Sequence, residues 1–151
     1  MDWLRALLGI FLVFKSILMV NNNLEERLIN FAVSVISIAV KMKKSFAGND
    51  LSAQLIRSST SAAQNYGEAE SAESRKDFIH KMKVVLKELR ECHVSLKIVH
   101  RAKLYTDEYS ILHANKENNE LISIFVISIK TAAKNLENEK NKNTGFKSNN
   151  S

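Results

Sequence analysis

With 151 residues, no proline, four glycines and one cysteine, the chain is long enough for one domain with a modest core. The single cysteine excludes an intramolecular disulfide, provides no zinc pattern, and points to a reducing, cytoplasmic setting. Twenty-two Lys and Arg against sixteen Asp and Glu leave a net charge of +6, which favours anionic partners.

Residues 3–20 (WLRALLGIFLVFKSILMV) are apolar but broken. Arg5 and Lys15 leave nine uninterrupted apolar or small residues between them, whereas a membrane span needs about 20. The basic start resembles a signal peptide, yet no small-x-small cleavage site follows. The favoured reading is a leader at 1–18 ahead of a true start at Met19, or a loosely attached extra helix. A membrane anchor and a segment packed on the domain are the other two readings.

Asn23 can cap a helix over 24–46, with Glu25 and Glu26 in its first turn and Lys41, Lys43 and Lys44 in its last, matching the helix dipole. Leu24, Leu28, Phe31, Val35, Ile38 and Met42 form its apolar stripe. The sequence AGND predicts a break, with Gly48 as a C-cap and Asp50 as the next N-cap. A second helix follows over 51–70. Its inner line is Leu51, Leu55, Ser58, Ala62, Tyr66 and Ala69, and its small centre (SSTSAA) predicts a close neighbour. Asn65, on the edge of that line, is expected to hydrogen-bond between helices. Glu68 is expected to point outward.

Ser71 to Leu104 reads as one long helix, capped by Ser71 or Ser74. At about 100° per residue, Phe78, Met82, Val85, Leu89, His93, Leu96 and Val99 share one side. Lys76, His80, Lys83, Lys87, Arg90, Lys97 and Arg101 share the opposite side. Asp77 with Lys81 and Lys87 with Glu91 stand as i,i+4 pairs. This stretch holds nine bases and four acids, so nearly all of the excess charge sits on one element. Val94 and Ile98 lie within the basic stripe, where a monomer has no use for them, and are expected to form a subunit contact. Cys92 reads as a small buried thiol.

Tyr105, Thr106 and Asp107 make a turn into a fourth helix with the stripe Ile111, Ala114, Leu121, Phe125, Ile129 (or Ser128), Ala132 and Leu136. The end is polar, and residues 140–151 are expected to be disordered. The expected organisation is therefore a leader at 1–18, a domain over 19–139 and a tail. Regular 3.6-residue periodicity with almost no alternation predicts an all-α fold. Short connections make it an antiparallel up-down-up-down four-helix bundle.

Residues 54–91 (QLIRSSTSAAQNYGEAESAESRKDFIHKMKVVLKELRE) carry a resemblance. Gln54-Leu55-x-Arg57-Ser58, the small run ending at Asn65, Glu68, the entry Ser74-Arg75-Lys76-Asp77-Phe78, and Lys87-Glu88 with Arg90-Glu91 resemble the signature region of the four-helix-bundle proteins encoded by intervening sequences in bacterial 23S rRNA genes. Arg57, Asn65, Glu68, Arg75 and Glu88 match that motif, which mostly concerns how the bundle is built. The resemblance implies a ring-like homo-oligomer, a pentamer, without enzymatic activity. A related family, the accessory variability proteins of diversity-generating retroelements, binds nucleic acid and a reverse transcriptase. Residues 1–18 depart from the pattern, which supports Met19 as the start.

The residues themselves offer no enzyme chemistry. There is no Glu-x-x-His for a di-iron bundle, no phosphate-cradling glycine loop and no triad candidate. His93 and His100, seven apart, could share a metal only with help from another helix, and a partly buried structural role is preferred; no metal, cofactor or small-molecule substrate is expected. His80 among lysines could add positive charge at lower pH. The expected function is binding of RNA, or of a nucleoprotein complex, through Lys76, Lys83, Lys87, Arg90, Lys97 and Arg101 by phosphate contacts. No aromatic residue interleaves with these bases, so base stacking is unsupported. The alternatives are a scaffold docking an acidic protein partner and, third, a membrane-tethered bundle.

Overall fold

The computed structural model describes Leu4, Gly9 and residues 24–148, with burial assigned through residue 142. Among these residues the chain is all-helical, with four helices and no strand. Helix α1 covers 24–39, α2 Phe46–Glu70, α3 Arg75–Arg101 and α4 Glu108–Ser148. Met19 and most of the apolar leader lie outside the described residues.

The first break falls earlier than AGND. α1 ends at 39 because the chain turns to meet the far end of α3: the Lys43 N–H donates to the Leu104 carbonyl at 2.9 Å, and Met42 is buried. Ser45 caps α2, its Oγ accepting from the Gly48 N–H at 3.0 Å. Gly48 is therefore inside the first turn of α2 and is not a C-cap. A Cβ there would stand 2.0 Å from the Lys43 carbonyl oxygen, so the glycine permits a close backbone approach. Asp50 is likewise helical and accepts from Gln54 at 2.6 Å.

The inner line of α2 is as expected, with Leu55, Ser58, Ala62, Tyr66 and Ala69 buried and Leu51 packed against the core. Ser59 is also buried, and its Oγ donates back to the Ile56 carbonyl at 3.3 Å, which satisfies it without a partner helix. Asn65 departs from expectation in the same way. Its amide donates to the Ser61 carbonyl and hydroxyl at 2.9 and 3.1 Å, a bond within α2 and not between helices.

α3 starts at Arg75 because Ser74 adopts an extended backbone and its Oγ caps Asp77 N–H at 3.1 Å. Met82, Val85, Leu89, Cys92, Leu96 and Val99 form its buried face, joined by Ile79 and Leu86, while Phe78 packs at the edge. The helix ends where Lys103 takes φ 56°, a left-handed position that lets the Leu104 N–H reach the Val99 carbonyl at 3.1 Å. Asp107 then caps α4 through Ser110 N–H at 3.1 Å. α4 runs helical through Ser148, past residue 140 where composition predicts disorder.

The core lies among all four helices. Tyr66 of α2 meets Phe125 of α4 edge to face at 5.8 Å, a geometry that adds to simple area burial. Polar ties fix neighbours. Arg27 of α1 grips Glu117 and Glu120 of α4 at 2.8 and 3.1 Å. Ser58 of α2 reaches Glu91 of α3 at 3.3 Å, and Glu68 pairs with Lys81. Between α3 and α4, Arg75 pairs with Glu139 at 3.1 Å, His93 meets Asn115 at 2.8 Å and His100 meets Glu108 at 2.9 Å. Asn118 is fully buried and donates to the Leu89 carbonyl at 3.0 Å, leaving its own Oδ1 without a partner.

Candidate functional site

The site is built on the solvent side of α3. Burying one face at 3.6-residue spacing forces the other outward, and Lys76, Lys83, Lys87, Arg90, Lys97 and Arg101 are all exposed. Of these six, Lys87 alone is held in a side-chain ion pair, to Glu91 at 3.7 Å, among the described residues. The other expected i,i+4 pair gives way to a contact between helices: Lys81 bonds to Glu68 of α2, which holds its ammonium pKa above the usual value, with Asp77 a minor influence.

Two hollows flank the stripe. Between α2 and α3 lies a groove of about 870 Å³. It gathers Gln54, Arg57 and Ser58 of α2 with Lys87, Glu88, Arg90 and Glu91 of α3, so two separated parts of the sequence signature meet there. Burial and the neighbouring Glu91 push the Glu88 carboxyl up, and Lys87 and Arg57 partly counter that. Val94 and Ile98 line its end and are exposed, at 56 % and 46 %, as their placement in the stripe predicts. Between the start of α3 and the far part of α4 lies a notch of about 430 Å³, with Lys76, His80 and Lys83 on one wall and Lys140 on the other.

The remaining motif residues do structural work. Arg75 ties α3 to α4 through Glu139, Glu68 ties α2 to α3, and Asn65 bonds within its own helix. Cys92 is buried, with burial pushing its thiol up to about 12, so it stays protonated and inert at neutral pH. His93 and His100 are engaged separately, by Asn115 and Glu108. No group of three His, Cys, Asp or Glu able to hold a metal occurs among the described residues. No helix among them is long and apolar enough to cross a membrane.

Sequence periodicity missed two features. Asn118 fills the gap between Ala114 and Leu121 in the buried line of α4, and its spacing of four and three was the available signal. The α4 wall of the notch was missed because Lys140 read as the start of a polar tail, whereas it is helical and continues α4.

These features define an all-helical protein with an exposed cationic face on α3. The chain belongs to the 23S rRNA-intervening sequence protein family, whose model matches residues 21–126. It is also similar to a crystal structure of a protein of unknown function from the S23 ribosomal protein family of Bacteroides thetaiotaomicron. The two are 32% identical with a TM-score of 0.63, over 71% of this chain and 98% of that one. No curated protein matches the chain.

Proposed function

We propose that this protein is a non-enzymatic, basic four-helix bundle that binds RNA, or the RNA of a nucleoprotein complex, through the solvent face of α3. The observation that carries the reading is the exposure of six cations along one helix, five of them without a carboxylate partner among the described residues. Lysine and arginine so displayed neutralise phosphates and release counterions, giving affinity that falls with salt and reads sequence weakly.

The helices run up-down-up-down. Supporting this, residue numbers rise on one helix as they fall on its neighbour: Ser58 with Glu91 and Glu68 with Lys81, then Arg75 with Glu139 and His100 with Glu108. The protein assembles as a ring-like homo-oligomer, a pentamer as family resemblance implies, with Val94 and Ile98 in the subunit contact. Repetition of a weak site around a ring multiplies affinity by avidity.

Changing Lys83, Lys87 and Arg90 together to glutamine tests the reading. The folded variant is expected to lose on the order of tenfold or more in RNA affinity at moderate salt, three phosphate contacts being removed. Unchanged affinity in a variant with native helicity would overturn it. Capture of one acidic protein, insensitive to nuclease, would favour the scaffold reading instead.

A further inference from the structure

Helix α1 presents a face that neither the core nor RNA binding uses. From Leu28 to Val40 the chain carries no charged residue, although the solvated side of a surface helix ordinarily does. The inner line of Leu28, Phe31, Val35 and Ile38 is buried. The outer line is apolar as well: Ile29, Val33 and Val40 are 41, 56 and 56 % exposed, and Ile36 is partly buried. Steps of four, three and four make these residues a seam of the kind that two helices bury against each other. The Val40 N–H still bonds to the Ile36 carbonyl at 3.0 Å, so helical spacing holds to the last member. Asn30 and Ser37 flank the seam, and the Ser37 hydroxyl is satisfied on the Val33 carbonyl at 2.9 Å. The two ends of the seam differ in sign. Glu26 is exposed in the first turn, and Lys43 and Lys44 are exposed just past the last.

We infer that this face of α1 docks on the same face of a second copy of the chain, antiparallel and about a two-fold axis level with Ser34 and Val35. That register sets Val33 against Ile36 of the second copy, Ile29 against Val40 and Glu26 against Lys43. The two-fold repeats each pair in reverse. Every central layer is then apolar on apolar, and each end brings an acid to a base. A parallel pair in register sets Glu26 beside Glu26 and Lys43 beside Lys43, where like charges repel. The contact uses one patch on both chains and closes on itself, whereas a ring needs two different patches. It is therefore separate from the contact through Val94 and Ile98 on α3, and it does not rest on RNA binding. Chains that all use it are joined two by two, so the assembly holds an even number of them. Four apolar residues from each copy make a small interface, and pairing is expected to depend on concentration.

Light scattering of the full chain over a range of protein concentration tests the inference, each variant being checked for native helicity. The parent is expected to reach an even multiple of the 17.1 kDa chain mass, and Val33→Glu to reach half the parent value. Val94→Glu with Ile98→Glu is expected to leave a dimer. Glu26→Lys and Lys43→Glu are each expected to weaken pairing about three- to tenfold, since the two-fold counts each change twice. The two reversals together are expected to return pairing to within about twofold of the parent. An odd multiple of the chain mass at every concentration would overturn the α1 contact while keeping the ring. A parent that stays monomeric would overturn both. An unchanged mass for Val33→Glu with a lowered unfolding midpoint would assign the face to another segment of the same chain and overturn the pair. Combined reversals that pair no better than the single ones would overturn the antiparallel register, and with it the inference.

Discussion

The two flanks of α3 hold similar numbers of bases but different numbers of acids. Toward α2, three acids line the groove beside three bases, Lys87 pairs with Glu91 and Lys81 is tied to Glu68. Toward α4, Arg75 is tied to Glu139, while Lys76 and Lys83 are exposed and without an ion pair among the described residues. Matched charges on a partly exposed surface contribute little stability each, yet they cancel the field that would attract a polyanion. Unmatched charges do the reverse. The comparison teaches that a basic stripe should be read with the acids its neighbours bring, since those neighbours decide which part of it stays available.

The largest change should come from the core common to both flanks. Leu89 is fully buried beneath them, and Leu89→Ala is expected to cost about 2–5 kcal/mol in denaturant unfolding. The salt slope of RNA binding by the remaining folded protein should not change. A changed slope would mean that the two flanks are not independent of the core.

Gly48→Ala is next. Its added methyl must displace the Lys43 backbone carbonyl, 2.0 Å away, and such overpacking is expected to cost about 1–3 kcal/mol. The loss should appear in thermal unfolding and leave RNA affinity per folded molecule unchanged, because the α1–α2 turn touches neither flank of the stripe.

Removing acids from the balanced flank sharpens the contrast from the other side. Glu88→Gln with Glu91→Gln should raise RNA affinity about two- to fivefold, less than one unit of log affinity, by uncovering Lys87 and Arg90. Glu88→Gln alone also carries a pH signature. Burial raises the folded carboxyl above its ordinary value, so the parent loses stability as pH rises through that range. The variant should be the more stable at neutral pH, with the difference fading as pH falls below the ordinary carboxylate value. A difference that grows with acid would contradict this account of Glu88.

Asn118→Leu should have the smallest effect. The substitution removes a hydrogen bond to the Leu89 carbonyl and also a buried oxygen without a partner. The two terms oppose, and the net change is expected to stay within about 1 kcal/mol, read as a small shift in the unfolding midpoint.

Much of the fold was legible because the buried lines of α2, α3 and α4 follow a 3.6-residue period with few interruptions. The places where reading failed have identifiable causes. Gly48 looked like a terminator, but it answers to the Lys43 carbonyl, a neighbour fixed only when Lys43 bonds to Leu104. Asn65 satisfies itself on Ser61, one turn back, so its edge position did not imply a second helix. Lys81 had two carboxylates in reach, Asp77 on its own helix and Glu68 on the next, and the one across the interface forms the bond. The cations of α3 were legible as a stripe. The acids that its neighbours bring beside it were not, because Asp50 and Glu137 are distant in sequence and meet α3 only after folding.

The salt dependence of RNA binding by the full chain bears most directly on the central claim. The account predicts measurable affinity at low salt and a linear fall of log affinity with log salt, steep enough to correspond to several phosphate contacts at about −0.7 to −0.9 per contact. Affinity that is absent at low salt, or that persists unchanged as salt rises, would contradict it.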